Sequence, residues 1–423
     1  MSYLRNITVQ VFLAALLAVA LGIFYLSLGV SLDWVDNAVG FLKTGFLALL
    51  KMLIAPMIFF SLIGGIISIG NVVRLRQLGS ITVLYYLGTT TIAILLGLAV
   101  VFLYHPWTDY PPLPAGAVTL GQARMLDPGS DSILAVLTNM ASLAFTNPFT
   151  ALVNMNILGI VANAIFIGIA IVLVVDEDSA LVKGIGDINR IIFKVLQWVI
   201  KLLPIGIFAI LFEFTLRLSG TGDNAEAFLA QLLSFGALVA VLTLAHGLIV
   251  LPLIAFLFSG RSPLQLVRRM AQPLLVAFTT SSSAATLPVS MRCAREDLQV
   301  SDSVSSFVLP LGATMNMDGT ALFEGIAAIF LAYLYGVELT SVTVITVFLM
   351  SMVASIGAPG MPTASMSGMQ MVLLAVGIPL EAIAILLVIE RPLDTIRTAI
   401  NVEGDLIGSV IVENYLSARS SAA

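Results

Sequence analysis

The sequence predicts an all-α protein that crosses a membrane several times. Of its 423 residues, 59% are hydrophobic and only 10% are charged, and the mean hydropathy is +1.07. Soluble domains carry about 25% charged residues. Apolar runs of about 20 residues, the length that spans a bilayer as a helix, recur along the chain. We therefore expect a multi-pass protein of the cell (inner) membrane, with the lipid bilayer as its surroundings.

Several other classes of protein are disfavoured by the same composition. The single cysteine, Cys293, excludes a disulfide framework, and His105 and His246 lie far apart without a metal-binding motif, as ordinary packed histidines would. A net charge of −5 gives no reason to expect nucleic acid. The serine-rich segment 279–288 lacks a G-x-S-x-G elbow and a histidine nearby in sequence. We therefore predict that the protein is not an enzyme.

Eight apolar segments are long enough to span a bilayer, and some exceed the required length, which predicts tilted or partly extramembrane helices. They cover residues 8–30, 38–66, 78–104, 155–175, 181–217, 226–258, 298–336 and 379–417. Lysines and arginines cluster at alternate ends of these segments, and such clusters mark the cytoplasmic side. The Pro-rich linker at 107–114 is then extracellular, and both termini are predicted to be cytoplasmic.

Two further apolar segments, 264–291 and 340–379, are interrupted near their middles. The first break is "TTSSSAATLP" at 279–288, and the second is "SIGAPGMPTAS" at 355–365. Such runs free backbone groups that lipid cannot satisfy, so they are tolerated only beside protein or a water-filled cavity. We interpret both segments as re-entrant hairpins. Paired interrupted segments point to the midplane site of an inverted-repeat transporter, whereas the chain before about Gly260 has no such break and is predicted to be scaffold.

The last apolar segment carries an unusual density of charge between residues 389 and 408. Each charge at the centre of a spanning helix costs about 2.5–3.5 kcal/mol. At 100° per residue the polar side chains share one face of a helix. This stripe consists of Glu390, Arg391, Asp394, Arg397, Thr398, Asn401 and Asp405. A structural salt-bridge stripe and a ligand and ion site both remain open, and intramembrane charges favour the site.

Glu403 lies on the opposite face of the same predicted helix. Its position suggests only a partner in the scaffold or at the cytoplasmic boundary.

The segment "GATMNMDGT" at 312–320 places two glycines, Asn316 and Asp318 within an apolar helix. These are poor helix formers, so an unwound turn would present carbonyl oxygens beside the Asp318 carboxylate, an environment that suits an alkali cation. A helix kink packed on a neighbour is the alternative.

Four segments together resemble the glutamate transporter family, which contains dicarboxylate and amino acid:cation symporters. They are "SSSAATLP", "NMDGT", the Ser-Ile-Gly…Gly-x-Pro hairpin and "LDxxRTxxNVxGD". The resemblance implies eight transmembrane helices, two hairpins, inverted repeats, a homotrimer and an elevator-type movement. It divides the chain into scaffold helices 1–77, a third transport-domain helix with its extracellular linker at 78–130, scaffold helices 131–225, and the transport domain 226–423.

The resemblance also implies roles for individual residues in binding an acidic amino acid. Arg397 would hold the side-chain carboxylate, and Asp394 would receive the α-ammonium group. Asn401 would bind the α-carboxylate together with the hairpin-tip serines. The complete predicted substrate set is Arg397, Asp394, Thr398, Asn401, Thr320, Ser282, Ser283, Met317, Gly360 and Pro362.

Three sodium sites follow from the same resemblance. The first uses Asp405, Asn401 and backbone oxygens near Gly312 and Asn316. The second uses Asp318 and Asn316 with the "YYLGTTT" segment, which contributes Tyr86, Thr89 and Thr90. The third uses Thr314 with carbonyls of Ser355, Ile356 and Ala358. Glu324 is a candidate proton-coupling residue.

The chain departs from its relatives at several positions. Some relatives carry an arginine at the position of Ser281 and others at that of Thr395. Here both positions lack it, and we predict that Arg391 supplies the charge. Pro359 and Pro392 are unusual within their motifs.

These residues together predict a symporter that imports aspartate or glutamate with Na⁺, and with H⁺ as a second candidate ion. The alternative is a proton-coupled C4-dicarboxylate or amino acid carrier of the same fold.

Overall fold

The structure is a computed structural model that describes residues 7–27, 32–68, 78–109, 138, 141–142, 144–154, 156–176, 178–218, 224–357, 365–379 and 382–422. Within these ranges the regular structure is helical throughout, without strands. The helices are α1 (Ile7–Ser27), α2 (Asp33–Ser68), α3 (Ser80–Leu103), α4 (Pro148–Val153), α5 (Ile157–Val174), α6 (Ala180–Lys201), α7 (Leu203–Leu218), α8 (Asn224–Ala245), α9 (Leu251–Ser259), α10 (Pro263–Thr280), α11 (Ser283–Glu296), α12 (Asp302–Met315), α13 (Asp318–Leu334), α14 (Ser341–Gly357), α15 (Ser365–Ala375) and α16 (Ile383–Ala422).

Each predicted spanning segment contains helix, but length and composition identify fewer spans than the eight predicted. In the described part of the chain, three mostly helical stretches are long and apolar enough to cross a membrane: Ser80–Thr108, Ala227–Ser259 and Asp302–Leu334. A fourth is added if α6 and α7, which meet at a 51° bend, form one broken span. Shorter apolar stretches lie in α1, α2, α5 and α14. The all-helical class is confirmed, and the count of eight spans stays a prediction.

The segment before Gly260 is less regular than its sequence indicated. Between α8 and α9 a π turn, His246–Val250, interrupts the predicted single helix, and the Leu251 N–H group bonds to the His246 carbonyl. A π turn closes i→i+5 hydrogen bonds and so accommodates an extra residue. No Gly/Ser/Pro-rich break announces it, because the interruption depends on what the turn contacts, as the site below makes clear.

The first predicted hairpin contains two helices joined at the serine-rich tip. α10 ends at Thr280, Ser281 adopts a left-handed conformation with φ 50°, and Ser282 caps α11 by accepting a hydrogen bond from Ala285 N at 3.1 Å. Serine and threonine oxygens at an N-cap satisfy otherwise unpaired backbone N–H groups. α14 and α15 flank the second predicted break, whose central residues 358–364 lie outside the described ranges.

α16 is the helix around which the rest of this half is organised. It packs against α8 to α13 and against α3. One apolar cluster joins α2, α5, α6 and α7 to α13, α14, α15 and the start of α16. A second cluster joins α3, α9, α10, α11 and α12 to the later part of α16. The charged stripe of α16 therefore lies where packed helices enclose it on most sides.

Candidate functional site

The first half of the α16 stripe is a buried network of ions. Arg397 is 1% exposed, and its Nη2 atom lies 3.0 Å from Glu390 Oε1 and 3.3 Å from Asp394 Oδ1. The same nitrogen donates to Ser365 Oγ on α15 at 3.1 Å. The Arg397 guanidinium also lies 4.0 Å above the ring of Phe323, a contact that favours a cation. Glu390, Ser365 and Phe323 were not among the predicted binding residues.

Two nitrogens of Arg397 remain available within this network. Its Nε and Nη1 atoms are buried and make no hydrogen bond to the described residues. A buried donor without a partner carries the full cost of its lost hydration. Each of these two nitrogens can therefore donate a charge-assisted hydrogen bond to a carboxylate oxygen of an additional partner.

Beside this network the polypeptide unwinds between α12 and α13, as the sequence predicted. Asn316 and Met317 are non-helical, and both are buried. Asn401 of α16 holds the broken end: its Oδ1 atom accepts from Gly319 N at 2.8 Å, and its Nδ2 atom donates to Thr320 Oγ1 at 3.2 Å. The stripe and the unwound turn therefore form one continuous polar site.

Asp318 is the centre of a second buried cluster. Its Oδ1 atom accepts hydrogen bonds from Thr90 at 2.7 Å and from Thr89 at 3.3 Å, and Thr89 also contacts Asn316 Oδ1 at 3.4 Å. The Asp318 Oδ2 atom lies 3.1 Å from His246 Nε2, and both side chains are fully buried. These four predicted residues are brought together, and His246 joins them from the π turn.

His246 corrects the interpretation of an ordinary packed histidine. An ionised carboxylate only accepts hydrogen bonds, so Nε2 is the donor and the imidazole fixes the orientation of Asp318. His246 is the first residue of the π turn, and the extra residue of that turn changes the direction of the helix at this point. Nothing local in the sequence indicates this contact, since Asp318 lies 72 residues further along the chain.

Asp405 occupies the far end of the stripe. Its Oδ1 atom accepts from Asn316 Nδ2 at 3.0 Å. A Cβ atom at Gly312 would overlap Asp405 Oδ1 and would lie 2.6 Å from the Tyr86 hydroxyl, which itself donates to Val308 O at 2.8 Å. Only glycine leaves room for the carboxylate, the phenol and the adjacent backbone.

The oxygen groups of the two clusters suit an alkali cation better than a transition metal. Among the described residues, no group of three or more His, Cys, Asp or Glu side chains could hold a metal ion. The clusters instead provide oxygens: the Asp318 carboxylate lies beside the hydroxyl groups of Thr89 and Thr90, and the Asp405 carboxylate and the Tyr86 hydroxyl both approach Gly312. Hard cations are bound by oxygen ligands of this kind.

The other predicted site residues are less closely connected. Thr398, Ser282 and Ser283 are buried. Thr314 and Ser355 direct their hydroxyl groups to carbonyls of their own helices, at Leu311 (3.0 Å) and Met352 (2.8 Å), and Ile356 is partly buried. The predicted residues Ala358, Gly360 and Pro362 lie outside the described residues, as does Pro359.

Glu403 is packed against the π turn. It is 1% exposed, and its Oε2 atom is 3.0 Å from the position that a Cβ of Gly247 would occupy in that turn. The absence of a side chain at residue 247 makes this approach possible. Its expected partner in the scaffold or at the cytoplasmic boundary stays a prediction.

Arg391 contacts the same carboxylate as Arg397. Its Nη1 atom lies 3.7 Å from Asp394 Oδ2, with side chains 16% and 8% exposed. Asp394 therefore lies between two guanidinium groups on one helix face.

Glu324 of α13 is packed against the second predicted hairpin. It is fully buried, and neither carboxyl oxygen makes a hydrogen bond to the described residues. A Cβ at Gly368 of α15 would overlap Glu324 Oε1 and would lie 3.1 Å from its Cδ atom and 3.1 Å from Ala354 Cβ. The glycine at 368 is therefore matched in size to the glutamate at 324.

Replacing Gly368 with alanine should destabilise the protein because the added methyl group meets the Glu324 carboxyl. Overpacking of this kind costs about 1–3 kcal/mol, which lowers the midpoint of thermal unfolding of the purified protein. In a protein that already carries Glu324→Ala, adding Gly368→Ala should lower the midpoint of thermal unfolding much less than it does in the wild type. Equal losses in both backgrounds would contradict the size match.

A comparison with protein families gives one match over nearly the whole chain. The model of the sodium:dicarboxylate symporter family matches residues 7–415. This range includes the unwound turn, both predicted hairpins and the charged stripe.

Individual relatives are similar over about three fifths of the chain. A putative sodium-dependent excitatory amino acid transporter of Caenorhabditis elegans is 38% identical over 259 residues, 61% of this chain and 51% of the relative. The mouse excitatory amino acid transporter 3 is 38% identical over 61% of this chain and 48% of its own. The mouse neutral amino acid transporter B(0) is 37% identical over 62% and 47%. The matches therefore span about half the length of these curated relatives.

Proposed function

The chain belongs to the sodium:dicarboxylate symporter family, and from that premise we propose that it imports acidic amino acids, aspartate or glutamate, together with sodium ions. Membership identifies a multi-pass membrane transporter rather than an enzyme. The observation that carries the proposal is the buried guanidinium of Arg397, which keeps two donor nitrogens without partners among the described residues, beside an ordered ion network.

The substrate assignment rests on the chemistry of this network. Arg397 would bind the side-chain carboxylate, Asp394 the α-ammonium group, and Asn401 with Ser282 and Ser283 the α-carboxylate. The names of the relatives include carriers of excitatory and of neutral amino acids. A buried arginine favours the acidic class, because a neutral side chain would offer no carboxylate to the Nε and Nη1 atoms of Arg397, which have no hydrogen-bond partner among the described residues.

Sodium is proposed as the coupling ion. Asp318 with Thr89 and Thr90 forms one candidate site, and Asp405 with Asn316 and Asn401 forms another. Each provides a negative charge and several neutral oxygens, which offset the hydration that a sodium ion loses on binding. H⁺, carried by the buried carboxyl group of Glu324, is proposed as a second coupling ion.

The transport cycle is proposed to follow the elevator mechanism, with 78–130 and 226–423 contributing a transport domain that moves against a homotrimeric scaffold formed by 1–77 and 131–225. The packing of α3 against α13 and α16 supports its place in the transport domain. The helix pairs α10–α11 and α14–α15 would belong to the two re-entrant hairpins. Both termini would lie in the cytoplasm.

A proton-coupled C4-dicarboxylate or amino acid carrier of the same fold is the second candidate. Arg391 favours it, because a further cation near Asp394 reduces the need for an ammonium group on the substrate.

Uptake into proteoliposomes distinguishes these candidates. Labelled L-aspartate, L-glutamate and succinate are offered under an inward sodium gradient, a proton gradient or a potassium gradient, each imposed alone. We expect aspartate or glutamate to accumulate under the sodium gradient and to stop when a sodium ionophore is added. Accumulation under the proton gradient alone would favour the second candidate, and no accumulation of any acidic substrate would contradict both.

A further inference from the structure

Arg391 is the charged residue of the α16 stripe that the proposed function leaves without a role. It precedes Asp394 by three residues, so the two side chains leave the same face of the helix. Its Nη1 atom lies 3.7 Å from Asp394 Oδ2, and its side chain is 16% exposed. The arginine is therefore close to the carboxylate and mostly withdrawn from water.

Asp394 thus has a cation on each side. Arg397 Nη2 approaches its Oδ1 atom at 3.3 Å, whereas Arg391 approaches its Oδ2 atom. Arg397 Nη2 lies closer to Glu390 than to Asp394, at 3.0 Å from Glu390 Oε1. Two acidic and two basic side chains in this part of the stripe have formal charges that cancel.

This arrangement changes what a substrate amino group can contribute. An ammonium group that approaches Asp394 must share the carboxylate with Arg391 or displace it. A ligand without the amino group leaves Asp394 paired with Arg391 and avoids the cost of a buried carboxylate without a partner.

We propose that Arg391 is a specificity-determining residue that competes with the substrate amino group for Asp394, so that the protein discriminates only weakly between L-aspartate and succinate. The inference rests on the proposed function, since it assumes that Asp394 faces the α-position of the substrate. Succinate has the same carbon chain and the same two carboxylates as L-aspartate and lacks only the amine.

Removing the charge of Arg391 should change the affinities for the two ligands in opposite directions. The ammonium group of L-aspartate then becomes the cation closest to Asp394 Oδ2, and L-aspartate should bind more tightly. Succinate, a dianion, loses an attractive charge and should bind less tightly. A charge-assisted hydrogen bond between the substrate ammonium group and Asp394 corresponds to about tenfold or more in affinity.

The test measures dissociation constants for L-aspartate and succinate at saturating sodium, by calorimetry on the purified protein. Arg391→Met removes the charge and keeps much of the stem, and Arg391→Gln does so with a polar group if the first variant does not fold. Arg391→Lys keeps the charge. Arg268→Met, on the exposed face of α10, controls for the change in net charge.

We expect the ratio of the succinate to the L-aspartate dissociation constant to rise about tenfold in Arg391→Met and Arg391→Gln. It should change less than twofold in Arg391→Lys and Arg268→Met. In an Asp394→Asn background, the effect of Arg391→Met on the ratio should disappear.

An unchanged ratio in folded Arg391→Met and Arg391→Gln proteins that still bind L-aspartate with sodium would overturn the role of Arg391 and leave the proposed function intact. A wild-type protein that binds neither L-aspartate nor L-glutamate would overturn the proposed function, and the role of Arg391 with it.

Discussion

Replacing Arg397 with threonine should lower the affinity for L-aspartate at least about 100-fold and abolish its sodium-driven uptake. Truncating one member of a buried, hydrogen-bonded charge pair costs about 2–5 kcal/mol, and the side-chain carboxylate of the substrate would lose its fork-shaped partner. The smaller side chain also opens space beside Phe323. Small neutral amino acids should therefore compete for the site in the variant, in a competition assay with labelled substrate.

The control addresses the charge that Arg397→Thr leaves behind. Glu390 would be buried without its counter-ion, so a loss of binding could reflect damage to the fold. The double variant Glu390→Gln with Arg397→Thr removes this unpaired charge. If the double variant unfolds at the wild-type temperature and still fails to bind L-aspartate, the loss belongs to recognition; unchanged affinity in either variant would contradict the assignment of Arg397.

Removing the carboxylate charge of Asp405 should make substrate binding much less dependent on sodium. If one cation sits beside Asp405, linkage requires that sodium tightens substrate binding by the factor by which substrate tightens sodium binding. In Asp405→Asn the site keeps its size and loses its charge. The slope of log affinity for L-aspartate against log sodium concentration should fall by about one, which is the loss of one bound ion.

The titration uses choline to keep the ionic strength constant. Glu413→Gln provides a matched loss of one acidic charge outside the site. Glu413 lies towards the C-terminal end of α16, where its Oε2 atom accepts hydrogen bonds from Ser301. Its slope should equal that of the wild type. A wild-type affinity that does not respond to sodium would show that the carboxylates at 318 and 405 have another role.

The parts of the site that could be predicted from the sequence are those that follow local rules. The stripe on α16 follows from helical periodicity, and the break at Asn316 and Met317 follows from residues that are poor helix formers. The serine-rich tip predicts the short connection between α10 and α11. In each case the structure depends on residues that are neighbours in the chain.

The remaining features depend on contacts between distant segments. His246 contacts Asp318 from the π turn between α8 and α9, and no periodicity predicts that turn. The contact of Glu324 with Gly368 likewise depends on how closely α15 approaches α13. A single sequence does not indicate which distant residues pack against each other, since either residue alone is compatible with many surroundings.

α16 is continuous from Ile383 to Ala422, and Arg397 and Asp405 lie within its unbroken part. Eight residues of α-helix measure about 12 Å along the axis, and Pro392, the proline inside the helix, precedes both positions. A bend at the proline therefore moves both positions together and leaves their separation unchanged. In the proposed function, communication between a carboxylate at Arg397 and a cation at Asp405 would not arise from lengthening or shortening this spacing. It would pass through groups that approach the helix from elsewhere, above all the non-helical turn, where Asn316 contacts Asp405 and the following Gly319 and Thr320 contact Asn401.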